Sequence, residues 1–363
     1  VTETVEKATS LIWDRLTKLA DRMSPPIRRA FMLVMDQIRN QIPVRALIAA
    51  IEEGDVIKAA DLILGPQTAS LDIWAPLVHS TREALMHVGA KSLADAAIFV
   101  GSDRLGPVVA VSFNIANPRT FDAIQRNDLR LIREIAEPTR QGIRSYLMEQ
   151  IHNGVNPRSL ITQLAGRVGE DGRRTGGIIG LTERQAQAVR NFRTMLETGD
   201  SETLNRALRD RRFDPEIKRA LREGIPLDSK RIDFLVERYE SRYLAYRAET
   251  IARTESLAMQ AEGQRAGWDQ AIERGAISSG NVQKRWATAH DERVRPGITV
   301  SAKGVVRQTL GFGLDHNHRQ MNGQVVRYDD YFVAPDSGEQ TWGAPHGVNC
   351  RCVTFIKPIP GRS

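Results

Sequence analysis

Apolar residues recur three and four apart along most of the chain as far as Gly275, the spacing of a buried helix face. PPIRRAFMLVMDQIRNQI and PVRALIAAIEEGDVIKAADLILG carry this pattern near the start, with Pro25, Pro26, Pro43 and Pro66 expected to punctuate the helices. Around AAIFVGSDRLGPVVAVSFNIANPRTF, Gly101, Gly106, Pro107 and Pro118 interrupt it, and the β-branched run reads as an irregular link or short strand. Helix signals return after Pro118. In NPRSLITQLAG, Asn156 suits an N-cap with Pro157 at the first helical position. In LTERQAQAVRNFRTMLETG, Thr182 and Gln185 have capping-box spacing, Val189, Phe192 and Leu196 share a face, and Gly199 is the stop. FDPEIKRALREG repeats the scheme with Asp214, Pro215 and Gly224.

A long helix is expected from near Asp228, with Ile232, Leu235, Val236, Tyr239 and Tyr243 as its apolar stripe. Continued to Gly263 it would be about 50 Å long at 1.5 Å per residue. Such a helix more often spans an assembly, or braces one domain against another, than sits inside a compact enzyme. Before it, GRVGEDGRRTGGIIG (166–180) is rich in glycine and arginine and reads as a mobile loop: a solvated linker, or a basic contact point for nucleic acid. After Gly275 the period changes to two. VQKRWATAHDERVR, KGVVRQTL, GQVVRYDDYFV and CRCVTFI alternate or carry β-branched and aromatic residues between glycine turns. The expected fold is therefore α+β, with an N-terminal helical region (1–115), a middle helical region (116–227), a long connecting helix (228–275) and a small C-terminal α+β domain (276–363).

Composition narrows the class. A chain of 363 residues has room for two or three domains, and 41% hydrophobic with 26% charged residues describes a folded chain rather than a disordered one. The net charge of +7 is a mild basic excess, compatible with a polyanionic partner, although the charges are spread and mixed with acids. No run approaches 18 apolar residues, so no membrane span is expected. VTETVEKATSLIWDRL is amphipathic and lacks the parts of a secretory signal; Val1 fits loss of an initiator methionine or of an upstream segment. Two cysteines exclude a disulfide scaffold and fit a reducing cytoplasm.

The order of signals in the last third is specific. IARTES (251–256) on the long helix is followed by KRWATAHDERVR (284–295), HRQMNGQVV (318–326), the Tyr331–Phe332 pair and APHGVNCRCV (344–353). This order resembles the phage Mu F-like family, the minor head or head morphogenesis proteins of tailed bacteriophages. The matching positions are Arg253 to Glu255, Trp286, Thr288, Asp291, Arg293, His318, Gly323, Pro345, His346, Cys350, Arg351 and Cys352. The resemblance covers roughly residues 245 to 355, and less specifically the helical middle section. One departure is the stretch ITVSAKGVVRQTLGFGLDHN, which looks like an inserted hairpin or loop and puts His316 in competition with His318. His318 is kept because Asn322 and Gly323 follow it. The resemblance implies a low-copy virion component without catalysis. It would be made in the host cytoplasm, sit in the capsid interior near the portal, help assemble the head and travel with packaged DNA. Its implied partners are the portal protein, other head proteins and double-stranded DNA.

The chemistry centres on HGVNCRCVTF. In an extended strand, Cys350 and Cys352 project from one face with Cα atoms about 6.6–7 Å apart. An internal disulfide would be strained at that separation. Two thiolates on one side can instead chelate a borderline cation such as zinc. Four of the seven histidines, His290, His316, His318 and His346, gather in this part of the chain. His318, His346, Cys350 and Cys352 would make a closed structural site tying a loop to the last strand. The other reading is buried thiols packed beside polar histidines, and Cys-x-Cys spacing does not decide between them. Asp291, Arg293 and His318 could imitate an acid–base cluster, but a strand Asp beside an Arg also reads as an ion pair. Asp315 to His318 fits a metal-rich turn or a plain polar one. Arg253 and Glu255, two apart on a helix, do not face each other and are expected to reach into the following domain. No phosphate loop, nucleophile elbow or His-Glu-x-x-His motif occurs. Two further functions compete with the virion role: a metal-dependent hydrolase or nuclease, which needs an open ligand position, and a DNA-binding module.

Overall fold

Helices follow the apolar spacing, and side-chain caps set many of their ends. The computed structural model describes residues 2–65, 71–101, 113–170, 172, 174–289, 298–300, 306–308, 318–335, 337–345 and 350–359. In chain order the helices are α1 (Thr2–Asn40), α2 (Val44–Glu52), α3 (Val56–Leu64), α4 (Leu71–Gly101), α5 (Pro118–His152), α6 (Pro157–Ala165), α7 (Glu183–Thr198), α8 (Asp214–Glu223), α9 (Ser229–Glu273) and the short α10 (His318–Met321). The strands are β1 (Arg167–Val168), β2 (Arg174–Thr175), β3 (Val282–Thr288), β4 (Ile298–Val300), β5 (Val306–Gln308), β6 (Val325–Arg327), β7 (Phe332–Val333), β8 (Gln340–Thr341) and β9 (Cys352–Pro358). The fold is α+β, a mostly helical chain with a small antiparallel sheet region at its C-terminal end. Among the described residues no helix is long and apolar enough to cross a membrane.

The capping expectations hold at α6 and α7. Asn156 accepts Arg158 N–H ahead of Pro157. Thr182 and Gln185 form both bonds of the capping box, and Gly199 ends α7 in the left-handed region. At α9 the Asp228 carboxylate accepts Arg231 N–H at 2.9 Å, and 45 helical residues follow, about 68 Å at 1.5 Å per residue.

Three expectations give way. Pro25 and Pro26 do not break α1. The buried stripe Leu16, Ala20, Met23, Ile27, Phe31, Val34 and Ile38 stays in phase across both prolines, and its burial outweighs the missing N–H groups. The helix α4 continues through Ala96 to Gly101, in place of the expected link; residues 102–112 lie outside the described residues. Asp214 is the first helical residue of α8 rather than its cap. Its carboxylate instead takes two bonds from Arg209, each 2.8 Å.

The chain groups into two compact units built from non-consecutive segments. One comprises Arg29–Leu77 and Asp128–Glu249; the other comprises Val1–Arg28, Val78–Asn127 and Thr250–Ser363. The first is called the middle unit and the second the terminal unit.

In the middle unit Phe192 of α7 stacks on Tyr239 of α9, with ring centroids 4.2 Å apart, and Tyr243 meets Tyr239 edge-on. The glycine-rich segment is not the loop expected throughout. It forms the β1–β2 hairpin, and residues 176–180 are then buried. Three buried charged side chains hold its backbone. Arg39 Nη2 donates to Ile179 O at 2.6 Å and to Gly177 O at 3.3 Å. Glu240 Oε2 accepts Gly177 N–H at 2.6 Å. Arg247 donates to Gly180 O at 2.7 Å, Thr139 Oγ1 at 2.8 Å and Ile135 O at 3.0 Å. Ile135 O also accepts Thr139 Oγ1–H at 2.7 Å. Burial pushes the Glu240 carboxyl up to about 7 and lowers Arg39 and Arg247 each to about 10.

In the terminal unit α9 lies close against α4. A Cβ on Gly263 would meet Leu85 O at 2.7 Å, and one on Gly267 would meet Gly89 O at 2.7 Å. Beside them lies the sheet β6–β3–β9, with β3 at its centre and both pairings antiparallel. Ala287 and Val353 from this sheet share an apolar cluster with Leu85, Val88 and Leu257. Val282 and Ile356 pack with Trp268 and Tyr328. The strands β4 and β5 pair with each other, as expected for a hairpin in the inserted stretch.

Candidate metal centre

The register of β9 on β3 brings the cysteines into the core. Thr288 lies opposite Cys352, and Ala289 N–H donates to Arg351 O at 2.8 Å, continuing the ladder one step further. Period-two alternation then sends both cysteine side chains to the same side. That side carries Trp286, Met321, Phe332, Ala334 and Ala344, which form one buried apolar cluster with Cys350 and Cys352. Neither cysteine is in a disulfide.

A tight turn after α10 delivers the histidine. Gly323 sits at φ +84, in the region that favours glycine. Its N–H donates to Trp286 O at 2.9 Å, while Gln324 O accepts Trp286 N–H at 3.0 Å. Asn322 Oδ1 accepts Thr288 N–H at 3.0 Å. These bonds clip the turn onto β3 and bury His318 edge-on to the Trp286 ring, centroids 5.7 Å apart.

The three side chains converge on one point. His318 Nδ1 lies 3.5 Å from Cys350 Sγ and 3.4 Å from Cys352 Sγ, and all three ligand atoms fall within 4.8 Å of one another. A single ring nitrogen offers one lone pair or one hydrogen, so it serves one thiol fully. A tetrahedral ion with bonds of about 2.3 Å to sulfur and about 2.0 Å to nitrogen has N···S edges of about 3.5 Å. Both observed separations match that edge, and the donor set is one that borderline metals take. His318, Cys350 and Cys352 can hold a metal ion.

The other residues expected here are placed as follows. His346 lies outside the described residues, as do Asp291, Arg293, His290 and His316. Trp286 is fully buried at the centre of the sheet and beside the site. Arg351, between the cysteines, accepts Trp13 Nε1–H at 2.9 Å through its carbonyl and places its guanidinium over the Trp13 ring. Arg253 lines a small cleft with Thr17, Asp21 and Ser24 of α1, and Glu255 is buried on α9.

Lys284 escapes sequence reasoning. It is buried, donates to Asp330 O at 2.8 Å and Trp342 O at 2.9 Å, and lies 4.0 Å from the Trp342 ring centre. Burial is the main cause that lowers its pKa to about 7. Its position two residues from both Val282 and Trp286 puts it in phase with the inward side of β3, a signal present in VQKRWAT.

Comparison with protein-family models, with curated proteins and with solved structures finds no match.

Proposed function

We propose that this chain is a minor head protein of a tailed phage, with a C-terminal domain closed by a structural zinc site. The observation that carries the reading is the convergence of His318 Nδ1 on both sulfurs of Cys350-Arg351-Cys352, at 3.5 and 3.4 Å inside an apolar cluster. His318, Cys350 and Cys352 would hold the ion, and His346, four residues before Cys350, is the candidate fourth ligand. Bound zinc would supply a cross-link from the α10 turn to the last strand. Four protein ligands would leave no position for water or substrate, so the site is architectural and the chain acts without catalysis.

The order of Arg253 to Glu255, Trp286, Gly323 and the Cys-Arg-Cys strand supports the likeness to Mu F-like proteins, and Trp286, Gly323 and the Cys-Arg-Cys strand also build the sheet and turn around the site. In this reading the chain resides in the capsid interior near the portal, with the portal protein, other head proteins and packaged DNA as partners. The test is fractionation of infected cells and purified heads. The chain is expected in mature heads and in complexes captured with the portal ring. A chain found only as free protein, absent from heads and from captured portal, contradicts the proposal.

A further inference from the structure

In the middle unit, one buried carboxylate gathers three arginines. Asp210, whose side chain is 3% exposed, takes Arg212 Nε at 3.0 Å and Arg212 Nη2 at 2.6 Å. Arg242 Nη2 lies 3.4 Å and Arg238 Nη2 3.7 Å from the same carboxylate. The three guanidinium-bearing side chains are themselves 67%, 45% and 42% exposed for Arg212, Arg242 and Arg238. Arg242 is further fixed by donating to Arg209 O at 3.3 Å, and Arg209 donates to Arg206 O at 3.0 Å. The hydrogen bonds from Arg212, foremost, hold the Asp210 carboxyl well below the usual carboxylate range, so it stays ionised.

An ion pair that served only the fold would need one arginine on Asp210. Here Arg212, Arg238 and Arg242 share the one Asp210 carboxylate, a formal excess of two positive charges, and Arg211, next to Asp210 in sequence, is exposed as well. Arg238 and Arg242 stand one helical turn apart on α9, about 5–6 Å between their Cβ atoms. Held from below by one carboxylate, the guanidiniums keep their outer donors toward solvent without the entropy loss of free side chains. A single small anion cannot neutralise a row of this extent. A duplex backbone, with one charge per ~1.7 Å of axis, meets several guanidiniums at once.

We propose that the arginine cluster gathered on Asp210 is a contact surface for the phosphate backbone of duplex nucleic acid. The surface reads charge and spacing rather than base sequence, because guanidinium–phosphate contacts position a duplex without carrying sequence information. It is independent of the metal centre and deepens the virion reading, on which packaged DNA as the partner rests; duplex binding and the presence of the chain in heads are measured separately, so either can fail without the other.

The test is fluorescence anisotropy of the full chain with a labelled duplex of about 20 base pairs, titrated across about 50–200 mM salt. Wild type is expected to bind two unrelated sequences equally, with log K falling linearly in log salt. Arg238→Gln with Arg242→Gln leaves the Arg212–Asp210 pair intact and should reduce that slope by about 2, one for each phosphate deprived of its arginine. Arg211→Gln, at an exposed position, should reduce it by about 1 and serves if the double variant does not fold. Arg158→Gln, an exposed arginine on α6 outside the cluster, should leave the slope unchanged. Polyglutamate at equal charge concentration should not displace the duplex. No binding by wild type at low salt, unchanged slopes in both cluster variants, or equal displacement by polyglutamate would each overturn the proposal.

Discussion

Replacing Glu240 by Gln removes an ionisable group that α9 carries into the closed part of the middle unit. The amide oxygen of Gln can still accept Gly177 N–H, which Glu240 Oε2 accepts at 2.6 Å, so the hydrogen bond survives while the charge goes. Burial is the largest influence on the wild-type carboxyl. The Gly177 bond and the charges of Arg193 and Arg39 oppose it, Glu237 adds to it, and the outcome is a shift from 4.5 to about 7. Between those two values the folded chain keeps a proton that the unfolded chain releases. Stability therefore falls as pH rises through the window, at about 1.4 kcal/mol per unit, to a loss of roughly 3 kcal/mol that is complete above the folded pKa. The variant lacks this dependence. Urea denaturation of both proteins at half-unit steps from pH 4.5 to 8 gives the difference curve. The variant should gain about 3 kcal/mol on wild type across that range. A difference independent of pH, or one of opposite sign, would refute the assignment of Glu240 as a buried, strained carboxylate.

Lys284→Met probes the mirror case. Burial lowers Lys284 from 10.5 to about 7, so between those values only the unfolded chain holds the proton and wild-type stability rises with pH. The variant should lose that rise, a relative change of up to about 4 kcal/mol between pH 7 and 10 in the same assay. Arg247→Met removes the bond to Gly180 O and one of the bonds to Ile135 O, which keeps Thr139 Oγ1–H at 2.7 Å; a loss of about 1–3 kcal/mol is expected by denaturation at pH 7. Thr182→Ala, which removes one half of the capping box, should cost about 1 kcal/mol in the same measurement.

Local chemistry makes the helices legible. Asn156, Thr182 with Gln185, Gly199 and Asp228 act on backbone groups a few residues away, so their roles appear in a short window of sequence. The phase of β3 and the shared side of Cys350 and Cys352 follow from period-two alternation and are equally readable. What the sequence hides has longer reach. The glycine-rich stretch 166–180 looks mobile because its partners Arg39, Glu240 and Arg247 come from distant helices, and no local pattern announces that its carbonyls and N–H groups will be claimed. Pro25 and Pro26 read as a break because helix propensity is local, whereas the stripe from Leu16 to Ile38 that carries α1 through them is buried by packing. At the candidate metal centre His318 and both cysteines are visible in the sequence; their common meeting point depends on Gly323, Asn322 and the register of β9.

The most direct test of the central claim is elemental analysis of the full chain purified without chelators, beside its Cys352→Ser variant. The account predicts close to one zinc per wild-type chain, with zinc lost and the melting temperature lowered in the variant. Less than about 0.3 metal per chain in wild type, with the variant melting unchanged, would contradict a metal centre at His318, Cys350 and Cys352.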